Sequence, residues 1–385
     1  MMVTKSKLEL VETLRSIVPF GEAVKHVKEK YALHVNTHGE YPNLHQFKYD
    51  QIDSPMKKQL VQESRGIILD SDNNWNPVAY PFEKFWNHHE SRAAKIDWTT
   101  AKIWEKVDGS LMFMYWYNDA WEIASSGLPD ASGTVLADDI TFRELFWKTW
   151  NALGYEFPRD TKHTLMFELS TPSNVVVVPQ KESKITFIGA RDMDTLDEVD
   201  IDNIDLFPED WKRPQRFDVR SEAEAIAACT KMNPMEQEGF VVTDAKFNRV
   251  KMKSPAYAAI AHLGFTKEEI IERGLDLSKY DENTQMKWML QIIITNECDE
   301  FLGYYPQYEK MYRFLYGKFV ALLDSMNALY DQVKDINSQW DYAAKVKDHP
   351  LSGVYFQLKA GRISSVKEGV RTTDIKKLLK ILRAA

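Results

Sequence analysis

The sequence has 385 residues, a mass of 44.7 kDa and a formal net charge of −8 at pH 7. Hydrophobic residues make up 44 % and charged residues 28 %, which excludes a mainly disordered chain, while the net charge argues against a protein that coats nucleic acid by bulk attraction. No apolar run reaches the roughly 18 residues of a membrane helix, and the first residues lack the apolar centre of a signal peptide. The two cysteines, Cys229 and Cys298, allow at most one bridge and no zinc cluster. We therefore expect a cytoplasmic protein without membrane contacts.

The first part of the chain, up to about Tyr257, consists of short apolar or alternating runs broken by turn residues, which predicts a mixed sheet with some helix. A hairpin is predicted where Leu111–Tyr117 and Ala120–Ile123 flank a turn at Asn118-Asp119. Helical spacing predicts helices over Lys5–Ser16 and Phe142–Leu153. Further strands are predicted over Gly66–Asp70, His163–Leu169, Asn174–Val178, Lys184–Ala190, Gly239–Thr243 and Arg249–Met252.

After about Ala258 the apolar residues recur at intervals of three and four, which predicts helices. The predicted helices are Lys267–Glu272, Thr284–Phe301, Gln307–Ile336 and Thr373–Leu382. We therefore expect two domains, residues 1–260 and an all-α domain of residues 261–385. Residues 345–385 carry 10 Lys and Arg against 3 Asp and Glu. This basic end fits a local contact with a polyanion, although a solvated helical face produces the same pattern more often.

The strongest local signal is Lys106-Val107-Asp108-Gly109-Ser110, directly after a short apolar stretch. A lysine at the end of a strand, entering a turn that Gly109 permits, projects its amine into a cleft. Taken alone the motif is short, and a surface turn between strands is the more common interpretation.

Other motifs accompany this one in a fixed order along the chain. They are Glu63–Ile68, Tyr80–Asn87, Leu165–Leu169 with Pro172-Ser173-Asn174, Phe187–Arg191, Glu238–Val242 and Val250–Ser254 followed by Tyr257. The ordered set resembles the covalent nucleotidyltransferase superfamily of polynucleotide ligases and RNA capping enzymes. The similarity is greatest to the RNA ligase 1 family of tailed bacteriophages, and it covers about Arg65 to Tyr257.

The resemblance implies an α+β nucleotidyltransferase fold, with an ATP-grasp-like ligase core of antiparallel sheets and flanking helices, followed by an all-α C-terminal domain. It implies an ATP-dependent RNA ligase that requires Mg²⁺, with Mn²⁺ as a substitute. AMP passes from ATP to the lysine, then to an RNA 5′-phosphate, and leaves when a 3′-hydroxyl attacks. The implied partner is RNA with single-stranded or nicked tRNA-like ends, bound by a monomer in RNA repair, in the host cytoplasm if the gene is a phage gene.

The resemblance also assigns roles to individual residues. Lys106 is the nucleophile that carries AMP, Asp108 and Gly109 shape its turn and contact ATP, and Glu238 holds the metal. Glu168 lies on the ribose or metal side. The remaining ATP contacts fall on Arg65, Lys84, Glu105, Phe187, Lys251 and Lys253, with Arg65 and Lys84 at the triphosphate or the RNA phosphate.

Elementary chemistry points the same way. An amine nucleophile must lose a proton, and nearby cations lower its pKa from a reference near 10.4. Lys251 and Lys253 are two residues apart on a predicted strand, so they face the same side and could act on Lys106 and on phosphates. Glu168 and Glu238 are hard oxygen ligands of the kind that Mg²⁺ prefers.

Several of these residues have a plainer interpretation. Lys84 lies among aromatic residues and could cover them with its aliphatic stem. Lys251 and Lys253 could line a solvated strand face, and Phe187 is more often a core aromatic than an adenine platform. The pair His88-His89 is expected to be structural, because neighbouring residues of a strand face opposite sides.

Two positions depart from the family pattern. Val175 follows Asn174 where relatives carry an arginine, and Ala124-Ser125-Ser126 precedes Gly127 where relatives carry basic residues. Their loss is expected to weaken phosphate or RNA contacts more than self-adenylation.

Other functional classes stay open as alternatives. A DNA ligase or a capping guanylyltransferase shares the core, but a helical segment after Tyr257 disfavours both. A non-catalytic nucleotide- or RNA-binding descendant is disfavoured because the lysines and carboxylates of the motifs are intact.

Overall fold

The computed structural model describes residues 8–51, 53–135, 139–158, 160–263, 280–295 and 298–384. The chain divides into two compact units, Met1–Ala261 and His262–Ala385, called here the N-terminal unit and the helical unit. The boundary predicted from the sequence lies between residues 260 and 261. The predicted helix Lys267–Glu272 lies outside the described residues.

The N-terminal unit contains three sheets, named here A, B and C, and a two-stranded ribbon. Sheet A has the order β1 (Leu33–Thr37), β2 (Leu44–Tyr49), β3 (Arg65–Asp70) and β4 (Asn76–Ala79). Sheet B has the order β14 (Arg216–Phe217), β6 (Lys102–Lys106), β15 (Gly239–Thr243), β16 (Arg249–Lys253) and β5 (Trp86–Asn87). Sheet C has the order β13 (Glu198–Val199), β12 (Lys184–Asp192), β11 (His163–Ser170), β7 (Ser110–Tyr117) and β8 (Ala120–Ser125). The ribbon pairs β9 (Thr134–Val135) with β10 (Ile140–Thr141).

Neighbouring strands in all three sheets are antiparallel, except that β5 runs parallel to β16. The helices of this unit are α1 (Glu9–Arg15), α2 (Phe20–Tyr31), α3 (Gln59–Glu63), α4 (Phe142–Leu153), α5 (Glu222–Lys231) and α6 (Pro255–Leu263). This arrangement confirms the predicted α+β class, and the helix predicted over Phe142–Leu153 has the predicted bounds.

Apolar side chains connect these layers. One cluster fills the space between sheet C and α4, and another lies between sheet A and α1 to α3. A third joins sheets A and C through Ile68, Phe82, Phe113 and Met166. A fourth cluster lies between sheet B and α5. Burial of these faces fixes the register of each strand, because a slip of one residue would turn every side chain to the other side.

The predicted hairpin is confirmed as β7 and β8, joined at Asn118 and Asp119 with φ values of 49° and 59°. Positive φ at both central residues matches the twist of the flanking strands, and Asn and Asp tolerate it well. Five of the six further predicted strands are also present, as β3, β11, β12, β15 and β16.

The strand predicted over Asn174–Val178 is wrong. Val175 and Val176 are exposed, and the backbone amides of Val177 and Val178 donate to the Asp108 carboxylate instead of to a neighbouring strand. A short run of valines therefore occurs here without a ladder partner.

The helical unit is built from helices packed on their apolar faces. They are α7 (Glu282–Thr295), α8 (Cys298–Tyr304), α9 (Glu309–Val333), α10 (Gln339–Val346), α11 (Ser352–Lys359), α12 (Val366–Arg371) and α13 (Ile375–Ala384), with a 3₁₀ turn at Pro306–Tyr308. α7 and α8 cover the predicted helix Thr284–Phe301, and α9 and α13 confirm the other two predictions. Among the helices of the described residues, none combines the length and the apolar character needed to cross a membrane.

Candidate active site

The centre of the candidate site is a row of three residues on neighbouring strands of sheet B. Gly239 of β15 pairs with Lys106 of β6 on one side and with Lys253 of β16 on the other. Residues directly opposite each other in an antiparallel sheet project to the same face, so both lysines rise from the side of the sheet that bears Gly239. The two lysines are therefore separated only by a residue without a side chain.

Gly239 is required at this position by its backbone and by its neighbours. Its φ is +154°, and a Cβ atom there would overlap the Met252 carbonyl oxygen and lie 2.7 Å from the Lys253 Cα. Close approach of this kind is a main use of glycine in strands.

Glu238 joins the two lysines electrostatically. Its Oε2 lies 2.7 Å from the Lys106 Nζ, and its Oε1 lies 3.8 Å from the Lys253 Nζ. The carboxylate side chain is only 5 % exposed, so both contacts form where water screens them poorly. This geometry holds the Lys106 amine in place at the end of β6.

Lys251 lies beside this row on β16, and Lys106, Lys251 and Lys253 are called here the lysine row. It pairs with Val241 of β15 on one side and with Asn87 of β5 on the other. One residue, Met252, separates it from Lys253, so it lies on the same face of sheet B as the lysine pair. The structure thus brings three of the predicted phosphate-contacting and catalytic lysines onto one surface.

Glu168 of β11 approaches this row from sheet C. Burial raises the pKa of its carboxyl to about 8, and the Glu238 charge acts in the same direction. Lys106 and Arg65 oppose the rise, Lys106 more strongly. The carboxyl is thus held among the site charges in a poorly hydrated position, where a further cation would favour its ionised form.

Asp108 anchors the turn that follows Lys106. One carboxylate oxygen accepts hydrogen bonds from the backbone amides of Val177 and Val178, at 3.0 and 2.6 Å. The other accepts from the Tyr257 hydroxyl at 2.7 Å. Asp108 therefore ties the turn to the loop after β11 and to the start of α6, and both of its carboxylate oxygens accept hydrogen bonds from the protein.

Gly109 lets this turn pack against β11. A Cβ atom there would lie 2.5 Å from the Leu169 carbonyl oxygen, and the Ser170 hydroxyl donates to the Asp108 carbonyl at 2.7 Å. Next to it, the Asn174 amide donates to the Ser110 hydroxyl at 2.7 Å. The motif residues after Lys106 therefore hold the end of β6 against sheet C.

Arg65 is turned toward the site by a β-bulge in sheet A. The register between β2 and β3 shifts between Phe47 and Lys48, at Gly66, whose φ is +108°. A bulge of this kind redirects the neighbouring side chain. The Arg65 guanidinium donates to the Phe82 carbonyl at 3.4 Å and lies 5.4 Å from the centre of the Phe85 ring.

Lys84 occupies an aromatic setting. Its ammonium lies 4.9 Å from the centre of the Trp86 ring and 5.5 Å from that of Tyr49. These cation–π distances agree with the plainer interpretation of this lysine. No contact of Lys84 with Glu168 or Glu238 occurs in the described part of the chain, so its role at a phosphate stays a prediction.

Two predicted ATP contacts do not face the lysine row. Glu105 alternates with Lys106 and lies on the other face of β6, where its carboxylate accepts from the Gln215 amide. Phe187 is fully buried among Phe167, Phe207 and Trp211, on the opposite face of sheet C from Glu168. The Phe187 ring therefore belongs to the core, which is the plainer of its two interpretations, and the predicted contact of this ring with ATP is corrected.

Two carboxylates of the site, those of Glu168 and Glu238, are candidates for holding a metal ion. Within the described ranges, no group of three or more His, Cys, Asp or Glu side chains is arranged as a metal site. Glu168 and Glu238 supply two carboxylates, and Mg²⁺ is commonly bound by one or two carboxylates together with substrate phosphates and water. These two residues therefore fit a metal–nucleotide complex.

Tyr257 is a residue of the site to which the sequence analysis assigned no role. Only its position after Lys253-Ser254 marks it, and the buried hydrogen bond to Asp108 becomes visible only in the fold.

Comparison with known proteins places this site in a family. The profile of an RNA ligase family of the T4 type matches residues 63–257, which make up half of the chain. A protein of Autographa californica nuclear polyhedrosis virus, named as a bifunctional polynucleotide kinase/RNA ligase, is 26 % identical over 307 residues, covering 74 % of this chain and 40 % of that protein. An RNA ligase of Rhodothermus phage RM378 is 29 % identical over 187 residues, covering 40 % of this chain and 42 % of that protein. The chain thus spans less than half the length of these two curated relatives.

Two solved structures are also similar. An archaeal ATP-dependent RNA ligase shares 12 % identity, with 76 % of this chain and 79 % of that chain covered and a TM-score of 0.45. The Naegleria gruberi RNA ligase with PPi shares 16 % identity, with 41 % and 51 % covered and a TM-score of 0.32. Because these TM-scores are low, the assignment to a family rests on the profile match. The matched residues 63–257 of this chain include the lysine row, Glu168, Glu238 and Asp108. On that match, the chain belongs to the RNA ligase 1 family.

Proposed function

We propose that this chain is an ATP-dependent RNA ligase, which joins 5′-phosphate and 3′-hydroxyl ends of RNA through enzyme–lysyl-AMP and RNA-adenylate intermediates. The observation that carries the proposal is the row of Lys106, Gly239 and Lys253, with Glu238 within 2.7 Å of the Lys106 amine. A lysine fixed among further cations and carboxylates is suited to attack a phosphate bound as a metal complex.

In the first step, the Lys106 Nζ attacks the α-phosphorus of ATP. The new N–P bond forms as the bond from phosphorus to the bridging oxygen breaks, and pyrophosphate leaves. The attacking amine must lose a proton, and the Glu238 Oε2 at 2.7 Å is placed to accept it. Lys251 and Lys253 lie on the same face and would stabilise negative charge on the transferred group.

In the second step, an oxygen of an RNA 5′-phosphate attacks the phosphorus of the lysyl-bound AMP. The N–P bond breaks and Lys106 leaves as an amine after regaining a proton. In the third step, a 3′-hydroxyl attacks the activated 5′-phosphorus, the phosphodiester forms and AMP is released.

We infer that Glu168 and Glu238 would hold Mg²⁺, or Mn²⁺ in its place, together with ATP. Such an ion supplies positive charge to the phosphate oxygens and orients the leaving group. Because the pKa of the Glu168 carboxyl is raised to about 8, a bound cation would shift this carboxyl toward its ionised form.

We infer that the helical unit binds RNA phosphates, in keeping with a role in RNA or tRNA repair. On α13, Lys376, Lys377, Lys380 and Arg383 are exposed, whereas Leu378, Leu379 and Leu382 are buried. One face of this helix thus packs into the unit while the other carries a cluster of cations suited to a polyanion.

We also infer a monomeric enzyme that acts in a reducing cytoplasm. The lysine row, Glu168 and Glu238 all lie within one unit of one chain, and neither Cys229 nor Cys298 forms a disulfide among the described residues.

The test is incubation of the purified protein with α-labelled ATP and Mg²⁺, followed by denaturation and detection of label on the chain. We expect label on the wild type and none on Lys106→Ala. Adding 5′-phosphorylated RNA should move the label from protein to RNA, and a 5′-phosphorylated DNA of the same sequence serves as the control for a DNA ligase. α-labelled GTP serves as the control for a capping enzyme.

No label on a wild type freed of bound AMP by pyrophosphate would contradict the proposal and favour a binding-only descendant. Label from GTP alone would favour guanylyl transfer.

A further inference from the structure

A lysine outside the predicted set lies beside the site. Lys48 of β2 is the partner of Arg65 across the bulge in sheet A. Its Nζ would be 3.4 Å from a Cβ atom on Gly127, the glycine that follows β8. The lysine therefore stands between a strand of sheet A that carries Arg65 and the end of a strand of sheet C.

The segment around Gly127 is fixed to sheet A by hydrogen bonds from the same face of β1 and β2. The Asn36 amide donates to the Gly127 carbonyl at 2.8 Å, and the Gln46 amide donates to the Ser125 carbonyl at 2.9 Å. Gln46 and Lys48 are two residues apart in β2 and share a face. The backbone that carries the Lys48 side chain is therefore held in a sheet and not in a loop.

Among the described residues, no carboxylate lies within ion-pair distance of Lys48 or Arg65. The described ion pairs include neither residue, and the Arg65 guanidinium is satisfied only by the Phe82 carbonyl and the Phe85 ring. Burial, and secondarily the Arg65 charge, lower the pKa of Lys48. Two adjacent cations, one of them poorly hydrated, form a site that favours an anion.

This pair is connected to the lysine row. The Arg65 charge acts on Glu168, which in turn is acted on by Lys106 and Glu238. Arg65, the partner of Lys48 across the bulge, is thus close enough to Glu168 for its charge to act on that carboxyl.

We propose that Lys48, together with Arg65, binds a phosphate group of the substrate during ligation. The inference rests on the proposed ligase function and adds a residue to it. Ala124, Ser125 and Ser126, which precede Gly127, are uncharged. Lys48 therefore brings a positive charge from β2 to a segment that has none of its own at these positions.

The phosphate has two sources, the ATP triphosphate and the RNA 5′-end, and two assays separate them. One measures the KM for ATP in self-adenylation. The other measures the rate of transfer from purified enzyme–AMP to a 5′-phosphorylated RNA. The variants are Lys48→Met, which keeps the length of the side chain, and Lys48→Arg, which keeps the charge. Lys162→Met is the control, because Lys162 is exposed and paired with Asp194 at the other end of β11.

We expect Lys48→Met to lose roughly 10- to 100-fold in at least one assay, the range of a charged hydrogen bond, and Lys48→Arg to recover most of the loss. A rise in the KM for ATP assigns the triphosphate, and a slower transfer alone assigns the RNA phosphate. The Tm of Lys48→Met should be unchanged or higher, because a desolvated ammonium without a counter-ion has been removed.

Activity of Lys48→Met within twofold of the wild type in both assays would overturn the inference while leaving the ligase function in place. A lower Tm with activity restored by cooling would overturn it in favour of a structural role. A wild type that takes no label would overturn both proposals.

Discussion

The two units of this chain present their charged side chains in different ways. In the N-terminal unit, Lys106, Lys253 and Glu238 are held by strand register, are mostly buried, and contact one another. In the helical unit, the cations of α13 are exposed on one face of a helix whose other face is buried. Register fixes distances between charges to within an ångström or so, as chemistry requires, whereas a helix surface offers charge without fixed geometry. The difference fits our proposals that the first unit carries out the bond-making steps and that the second binds RNA.

The largest difference in the free energy of unfolding is expected between alanine substitutions at two glycines. Gly239→Ala places a methyl group against the Met252 backbone at a φ of +154° and should destabilise the N-terminal unit by about 3 kcal/mol or more. Gly317 lies within α9 with open space around it, so Gly317→Ala should stabilise its helix by up to about 1 kcal/mol. Urea unfolding of both variants measures the contrast, and equal effects would contradict a register-controlled site.

A pH series compares the partly buried Glu168 carboxyl with an exposed carboxyl. Because the pKa of Glu168 in the folded protein, about 8, lies above its ordinary value of 4.5, the folded state holds the proton more tightly. The free energy of unfolding should therefore fall as pH rises from about 4.5 to about 8 through this group, by up to a few kcal/mol. Glu168→Gln should remove that part of the decline, so its stability relative to the wild type should increase across the same window.

The matched control for this series is Glu309→Gln, at an exposed carboxylate in the first turn of α9. Its stability relative to the wild type should not increase between those pH values. A flat difference for Glu168→Gln would show that its carboxyl is hydrated and not held by burial.

Two buried tyrosines test whether the Asp108 anchor matters beyond stability. Tyr257→Phe removes a hydrogen bond to a carboxylate, and Tyr342→Phe removes one to the Tyr355 carbonyl. The expected costs are about 1.5–3 and 0.5–1.5 kcal/mol respectively. Only Tyr257→Phe should slow self-adenylation, measured at a temperature where both variants are folded, because only its partner is part of the Lys106 turn. Equal rates for the two variants would mean that the anchor is dispensable for the chemistry.

The smallest effect is expected from reversing exposed charge. Lys376→Glu combined with Lys377→Glu should weaken RNA affinity several-fold and reduce the salt dependence of binding by about one per lysine removed from a phosphate. Self-adenylation should be unchanged. Lys310→Glu, at the exposed start of α9, is the control. Affinity and salt dependence equal to those of the wild type would contradict RNA binding by α13.

The sequence was sufficient to predict the elements whose pattern is local. The β7–β8 hairpin follows from alternation around Asn118-Asp119, and α4 ends at Gly154, whose φ of +68° suits a helix terminus. The run Asn174–Val178 has the same apolar character as a strand, and only its position beside Asp108 shows why it does not become one.

The site was predictable where a motif places a charge at a strand end, and not where two distant strands meet. Lys106, Glu238 and Lys253 come from motifs, and the sheet brings them together. Phe187 lies next to Ile188, which is partly buried and packs in a different cluster. Which of the two side chains faces the core of sheet C depends on a bulge in the β11–β12 register, and composition does not reveal that bulge. No sequence motif marks Lys48, because its proposed role depends on its proximity to Gly127 and on its pairing with Arg65, which lie elsewhere in the sequence.

The most direct test of the central claim, that Lys106 is the residue that becomes adenylylated, is mass spectrometry of the intact protein after incubation with ATP and Mg²⁺, followed by peptide mapping. We predict a gain of one AMP per chain, located on the peptide that contains Lys106, and reversal of the gain by pyrophosphate. An adduct on any other residue, or no adduct on an AMP-free preparation, would contradict the assignment of Lys106 as the nucleophile.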